Sequence, residues 1–164
     1  LYDYVDGQMV SWEVRPNMIF AVALDYSPLT REQQKRTLDI CTKELLTRKG
    51  LRSLSPKSGG YRPIYVGNQW ERDSAYHQGT AWPWLTGFYL EAYLKVNKMS
   101  GMSFIERQLV TFEEELFYHD LGSIPELFDG NPPFHGRGAV SFAMNVASIL
   151  RAIRLLDNIN QTNQ

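Results

Sequence analysis

The stretch Pro16-Asn17-Met18-Ile19-Phe20-Ala21-Val22-Ala23-Leu24 decides the fold. Pro16 suits a first helical turn, where its missing N–H removes a donor that would have no partner anyway. Met18 to Leu24 follows as an unbroken apolar run, and Met18, Ala21 and Ala23 favour helix. A helix that is apolar on every side needs neighbours on every side. The rest of the chain is therefore expected to wrap helices around it.

Working outward, residues 1–14 are irregular, with a turn at Gly7. Thr30 and Gln33 have the spacing of a capping box, which predicts a helix over residues 31–47. Leu38, Cys41 and Leu45 lie on one face of it. Arg48 and Lys49 suit its negative end and Gly50 its stop. This helix is amphipathic and belongs on the outside. Residues 51–79 read as a long ordered loop rich in Ser, Gly, Pro, Tyr and Trp. A third helix is expected from near Thr80 to Gly101, with Leu85, Phe88, Ala92 and Val96 inward. A fourth follows from a Ser103–Glu106 capping box through Ile105, Leu109, Phe112 and Leu116. A second loop spans about His119 to Gly138. Phe142, Val146, Ile149, Ile153 and Leu156 mark a last helix, and the polar tail from Asn158 to Gln164 is expected to fray. Five helices and no strand predict an all-α class. Their long connections suit a toroid of helical hairpins better than a bundle, whose links run about 2–8 residues.

Composition narrows the partners. The 164 residues carry 17 Lys+Arg against 18 Asp+Glu, so nucleic acid and anionic membrane have no electrostatic support. No apolar window approaches the roughly 18 residues of a membrane span. The chain opens at Leu1 rather than Met, which suggests an excised fragment and leaves the missing leader without weight. One cysteine, Cys41, makes no internal disulfide and fits a reducing, cytoplasmic compartment. His77, His119 and His135 share no metal-ligand spacing, and neither a phosphate-binding glycine loop nor a Gly-x-Ser-x-Gly elbow occurs. No cofactor is therefore expected.

What remains is carboxylates beside aromatic rings. Glu71, Asp73, Asp120, Glu126 and Asp129 lie in or beside the two loops, with Tyr65, Trp70, Tyr76, Trp82 and Trp84 in or just after the first. Sugars bind in such surroundings: a pyranose face packs on a ring while its hydroxyls bond to planar polar groups. Glycoside hydrolysis also needs a pair of carboxyls. Helix-capping acids and core tryptophans account for the same residues without chemistry.

Four blocks in order point further. They are Arg15-Pro16-Asn17, then residues 50–56 (GLRSLSP), then residues 72–85 (RDSAYHQGTAWPWL), then residues 122–130 (GSIPELFDG). Together they resemble the C-terminal amylo-α-1,6-glucosidase domain of glycogen debranching enzymes, over about residues 12 to 154. The resemblance implies an (α/α)6 toroid, of which residues 1–157 would form less than half. It implies inverting hydrolysis of α-1,6-linked glucose stubs on glycogen or a limit dextrin. Such hydrolysis uses a general acid and a general base about 6.5–9.5 Å apart. Glu126 matches the base. The acid lies upstream in the family, and Asp3, Asp6 and Glu13 do not fit its motif, so it is expected outside this chain, in the upstream part of the same toroid. His77 and Gln78 would bond sugar hydroxyls, with Trp82 or Trp84 as a stacking wall and Trp82 the more exposed. Asp73 would bind sugar or be structural, and Asp129 would bind sugar. Arg15 and Asn17 would contact sugar or fix the turn into the first helix. Where the family runs Cys-x-Ala-Gln-Ala-Trp, this chain has Phe142 for the Gln and Met144 for the Trp, which puts subsite detail and activity in question. Another toroidal glycosidase of trehalase-like type, or a carbohydrate-binding or regulatory module without catalysis, are the alternatives. Five helices cannot close a ring, so the isolated chain is expected to pair with its copy, and to be inactive alone.

Overall fold

The apolar run at residues 16–24 opens as a 3-10 turn over Pro16–Ile19 and continues as a one-turn helix, α1, over Phe20–Ala23. Pro16, Met18, Ile19, Val22 and Ala23 are buried, Phe20 and Ala21 are half-buried, and Leu24 is exposed. The run is thus covered on most sides but not all. The computed structural model describes residues 1–117 and 122–162. Helices make up about half of the chain, and a small antiparallel sheet ties them together. The all-α expectation is corrected by that sheet.

Helix α2, Arg31–Glu44, starts at the expected capping box. The Thr30 hydroxyl accepts from the Gln33 N–H at 3.3 Å, and the Gln33 amide oxygen accepts from the Thr30 N–H at 2.9 Å. Its buried stripe holds Leu38 and Cys41, continued by Leu45. It stops before residue 47, because Leu46–Thr47 (β3) turns back on Gly50–Arg52 (β4). Gly50 is therefore a hairpin residue rather than a helix stop. Its φ is +123°, and a Cβ there would lie 2.6 Å from the Trp82 backbone.

Ala81–Trp82 (β5), Leu127–Phe128 (β6) and Gly136–Arg137 (β7) complete an antiparallel sheet in the order β3-β4-β5-β6-β7, with Leu51 opposite Trp82 and Ala81 opposite Phe128. A separate hairpin pairs Val5–Asp6 (β1) with Met9–Val10 (β2). Strands of two or three residues are too short to show a period-2 alternation. Leu51, Ala81, Leu127 and Phe128 are fully buried and read in sequence as fragments of core.

The first long loop is also not wholly irregular. Gln69–Ala75 forms helix α3, capped by an Asn68–Glu71 box. Helix α4 spans Trp84–Asn97, four residues later than expected, because Ala81 and Trp82 are strand. Leu85, Tyr89, Leu90 and Ala92 are buried on it. A 3-10 turn at Lys98–Gly101 leads into α5, Met102–Phe117, where Ser103 lies inside the helix instead of capping it. Helix α6 runs from Ala143 to Thr162 and takes in most of the segment expected to fray. His119 and Asp120 lie outside the described residues. Among the described residues, no helix is long and apolar enough to cross a membrane.

Helices α4 and α6 meet at Gly87. Its N–H donates to the Ser148 hydroxyl at 3.0 Å, and that hydroxyl donates to the Trp84 carbonyl at 2.5 Å. A Cβ at Gly87 would lie 2.6 Å from the Ser148 carbonyl oxygen. Gly87→Ala should therefore cost about 1–3 kcal/mol through overpacking. The check is a lowered urea midpoint with an unchanged slope; an unshifted midpoint would mean that the helices separate freely at this crossing.

Candidate active site

The Tyr-His-Gln-Gly-Thr segment runs from the end of α3 into β5, and Glu126 immediately precedes β6. Pairing of β5 with β6 brings the two together. The Glu126 backbone is held first: its N–H donates to the Ala139 carbonyl at 2.8 Å, and the Asn145 amide donates to the Pro125 and Glu126 carbonyls at 2.5 and 2.8 Å. Its carboxylate is then divided between two donors. The Tyr76 hydroxyl donates to Oε1, and the Ala139 N–H donates to Oε2 at 2.9 Å. Gly138, at φ +71°, has no side chain because a Cβ would run into this carboxylate. Glu126 stays half-buried, so a face of it remains open to a ligand.

Tyr76 sits among rings. Its centroid is 4.6 Å from that of His77 and 4.9 Å from that of Trp82, both edge-on, and 5.7 Å from Tyr65. Burial pushes its hydroxyl above the ordinary tyrosine range, and the Glu126 carboxylate pushes it further, so it remains an O–H donor at neutral pH. His77 lies nearly parallel to Trp82 at 5.3 Å with its other face exposed. Burial against that ring, with Arg15 adding to it, holds its imidazole below the ordinary 6.5.

Arg15, Asn17, His77, Trp82 and Trp84 all line one cavity of about 230 Å³, together with Pro16, Ser53 and Leu85. The expectation about the two tryptophans is reversed. Trp82 is only 5% exposed, its indole N–H donating to the Thr80 hydroxyl at 3.0 Å, whereas Trp84 is half-buried at the start of α4. The strand position of Trp82 points its ring into the core, and the helical position of Trp84 leaves part of its ring at the wall.

Arg15 is a strut. It donates to the carbonyls of Ser53 at 3.2 Å and His77 at 2.7 Å, to the Gln78 amide oxygen at 3.0 Å and to Glu13 at 2.7 and 3.0 Å. Gln78 is thereby tied to the cavity wall through Arg15. Asn17 is exposed, and its amide donates to Asp3 at 2.8 Å.

Two expected residues stand apart. Asp73 is exposed on α3 and accepts from Gln69 one helical turn away at 2.7 Å. Asp129 is 2% exposed and fully engaged, taking the Tyr65 N–H at 2.9 Å and the Arg137 guanidinium at 2.8 to 3.2 Å. It pins the β6–β7 hairpin. Glu126 is not among the residues lining the 230 Å³ cavity; Tyr76 joins it to His77 and Trp82. Sequence reading gave Tyr76, Gly138 and Asn145 no part in holding Glu126. The one available signal was a polar residue, Asn145, directly after the atypical Phe142 and Met144 on an otherwise apolar helix start. Among the described residues, no group of three or more His, Cys, Asp or Glu is placed to hold a metal ion.

The His77 imidazole should titrate with a midpoint below 6.5, followed by its ring-proton NMR signal. Arg15→Met should move that midpoint upward without restoring 6.5, because burial against Trp82 remains. A wild-type midpoint at or above 6.5 would contradict the packing described here.

Comparison with known proteins gives the chain relatives. Glycogen debranching enzyme from Saccharomyces cerevisiae (strain ATCC 204508 / S288c) is 33% identical over 90 residues, which is 50% of this chain and 6% of that protein. The chain thus matches a small part of a much longer relative. A family model described as amylo-alpha-1,6-glucosidase matches residues 1–151, nearly the whole length. On that match, the chain belongs to the amylo-alpha-1,6-glucosidase family.

Proposed function

We propose that this chain is the C-terminal part of an α-glucan debranching glucosidase that hydrolyses α-1,6-linked glucose stubs with inversion, Glu126 acting as general base. The observation that carries the reading is the two-donor cradle of Glu126, joined through the Tyr76 ring to a cavity walled by His77, Trp82 and Trp84. A carboxylate held in one orientation but left partly open is what removal of a proton from water requires. In the reaction, an acid outside this chain protonates the glycosidic oxygen. Glu126 takes a proton from water as the water oxygen bonds to C1 from the opposite face. The C1–O bond breaks in the same step, and its electron pair goes to the protonated leaving oxygen.

The cavity residues divide by exposure. Trp84 offers a flat ring to a sugar face, while the neutral His77 imidazole and the Asn17 amide offer polar atoms to its hydroxyls. Arg15 and Gln78 hold the wall. Asp129 and Asp73 act in folding, since their carboxylates are spent on Arg137 and Tyr65, and on Gln69. The groove between α5 and α6, about 380 Å³ and floored by Leu109, Phe112, Ile149, Ile153 and Leu156, supports the reading that the rest of a ring of helices covers this edge. A module that binds α-glucan without hydrolysing it is the second reading, favoured by Phe142 and Met144 beside Asn145.

Glu126→Gln in the full-length parent should lower glucose release from an α-1,6-glucosyl dextrin by about 10²–10⁴-fold, the usual range for a general base. Dextrin binding by calorimetry should persist. Binding without glucose release by the unmutated parent would favour the second reading, and full activity of the variant would remove Glu126 from catalysis.

The isolated 164-residue chain should release no measurable glucose, because it lacks the acid. With the α5–α6 groove uncovered, light scattering at micromolar concentration should give a mass near twice 18.9 kDa. A monomeric chain, or one as active as its parent, would contradict the partial-ring reading.

A further inference from the structure

We infer that Tyr76 is the positioning residue of the reaction: its hydroxyl fixes the orientation of the Glu126 carboxylate, and its ring ties that orientation to the sugar cavity. This rests on the reading of Glu126 as the base.

The geometry separates two jobs in one side chain. The ring stands edge-on to both members of the stacked His77–Trp82 pair, so its direction is set by residues that border the cavity. The hydroxyl projects away from that cluster to Glu126 Oε1, fifty residues along the chain. Oε2 is held separately by the Ala139 N–H. A carboxylate gripped at both oxygens cannot rotate about its last bond without losing a donor. Gly138, with no side chain, leaves room for the carboxylate to lie close against its backbone in this orientation. Of the two donors, the Ala139 N–H belongs to the same β6–β7 neighbourhood as Glu126 and moves with it. Among the described residues, Tyr76 alone donates to the carboxylate from a different segment, the one carrying His77 and Gln78.

Tyr76 is a donor and not a second base. Its hydroxyl is held protonated by burial and by the adjacent carboxylate. The proton taken from water goes to Glu126, the Tyr76 O–H bond stays intact throughout, and no group beyond the acid and the base is needed to balance the reaction.

Tyr76→Phe keeps the ring contacts with His77, Trp82 and Tyr65 and removes only the O–H. It should be made in the full-length parent and assayed with α-D-glucosyl fluoride, whose departing fluoride needs little help from an acid, so the assay reports on the base side. A hydrogen bond to a charged group lost only in orientation predicts a fall in kcat of about 10- to 100-fold with KM unchanged within about twofold. Wild-type kcat in Tyr76→Phe would overturn the inference, because a residue that merely fills space loses nothing when the ring is kept.

A second arm separates the inference from the reading beneath it. Glu126→Ala with added azide should form glucosyl azide of inverted configuration, since the small anion takes the place of base and water. Adding Tyr76→Phe to Glu126→Ala should leave that azide rate unchanged, because the hydroxyl acts only through the missing carboxylate. A further drop in the double variant would show a role in shaping the cavity and overturn the inference. No loss in Glu126→Ala itself would instead overturn the assignment of Glu126 as base.

Discussion

Two strand residues, Ala81 and Trp82, hold the molecule together. They pair with Leu51 and Arg52 on one side and with Phe128 on the other, at the centre of a sheet whose core positions are fully buried. The backbone hydrogen bonds of such a strand have no water to fall back on, so each must be met by a neighbouring strand. That requirement draws three segments far apart in sequence to one line: the hairpin after α2, the Tyr-His-Gln segment before β5, and the Glu126 loop before β6. The absence of a side chain at Gly50 lets the first of these come within van der Waals reach of the Trp82 backbone. The proposed base and the core of the fold therefore share a frame.

Charge is used inward as well as outward. Lys49, at the β3–β4 turn, is 5% exposed; its ammonium donates to the Thr111 carbonyl at 2.6 Å and pairs with Glu115 at 2.6 Å. Desolvating such a pair costs about what its attraction returns, so its worth lies in geometry: losing either partner strands a buried charge at a cost of about 3–5 kcal/mol. It fixes the hairpin to α5. Arg15 performs the same service on the other flank, joining Glu13, Ser53, His77 and Gln78. Burial works to raise the Glu13 carboxyl, and the bonds from Arg15 and Ser58 outweigh it and hold it below the ordinary 4.5. That contribution to stability is complete above the unfolded value and fades as pH falls through the lowered folded one.

The proposed site follows from this arrangement. A sugar-facing wall and a proton-accepting carboxylate lie on different segments, and one tyrosine spans the space between them. A ring and a hydroxyl on the same rigid side chain transmit position with two torsions, where a longer flexible side chain would lose it to rotamer freedom.

The sequence alone determined the helices with long apolar periods and the box at Thr30–Gln33, because both signals are local: side-chain spacing on one helix and a cap bonded three residues away. It also determined the family, through blocks whose residue types and order survive being read one dimension at a time. Only the tertiary structure decided the rest. The sheet was invisible because each strand is two or three residues long and acquires its identity from partners up to some 50 residues distant. Asp129 and Asp73 read alike in sequence, yet one is buried against Arg137 and the other lies on an open helix face. The exposure of Trp82 and Trp84 was reversed because Trp82 is strand and Trp84 is helix, and one step in backbone conformation turns a ring from wall to core. Tyr76 became the link to Glu126 for the same reason: a hydrogen bond across fifty residues depends on where two backbones meet, and no local spacing encodes that meeting.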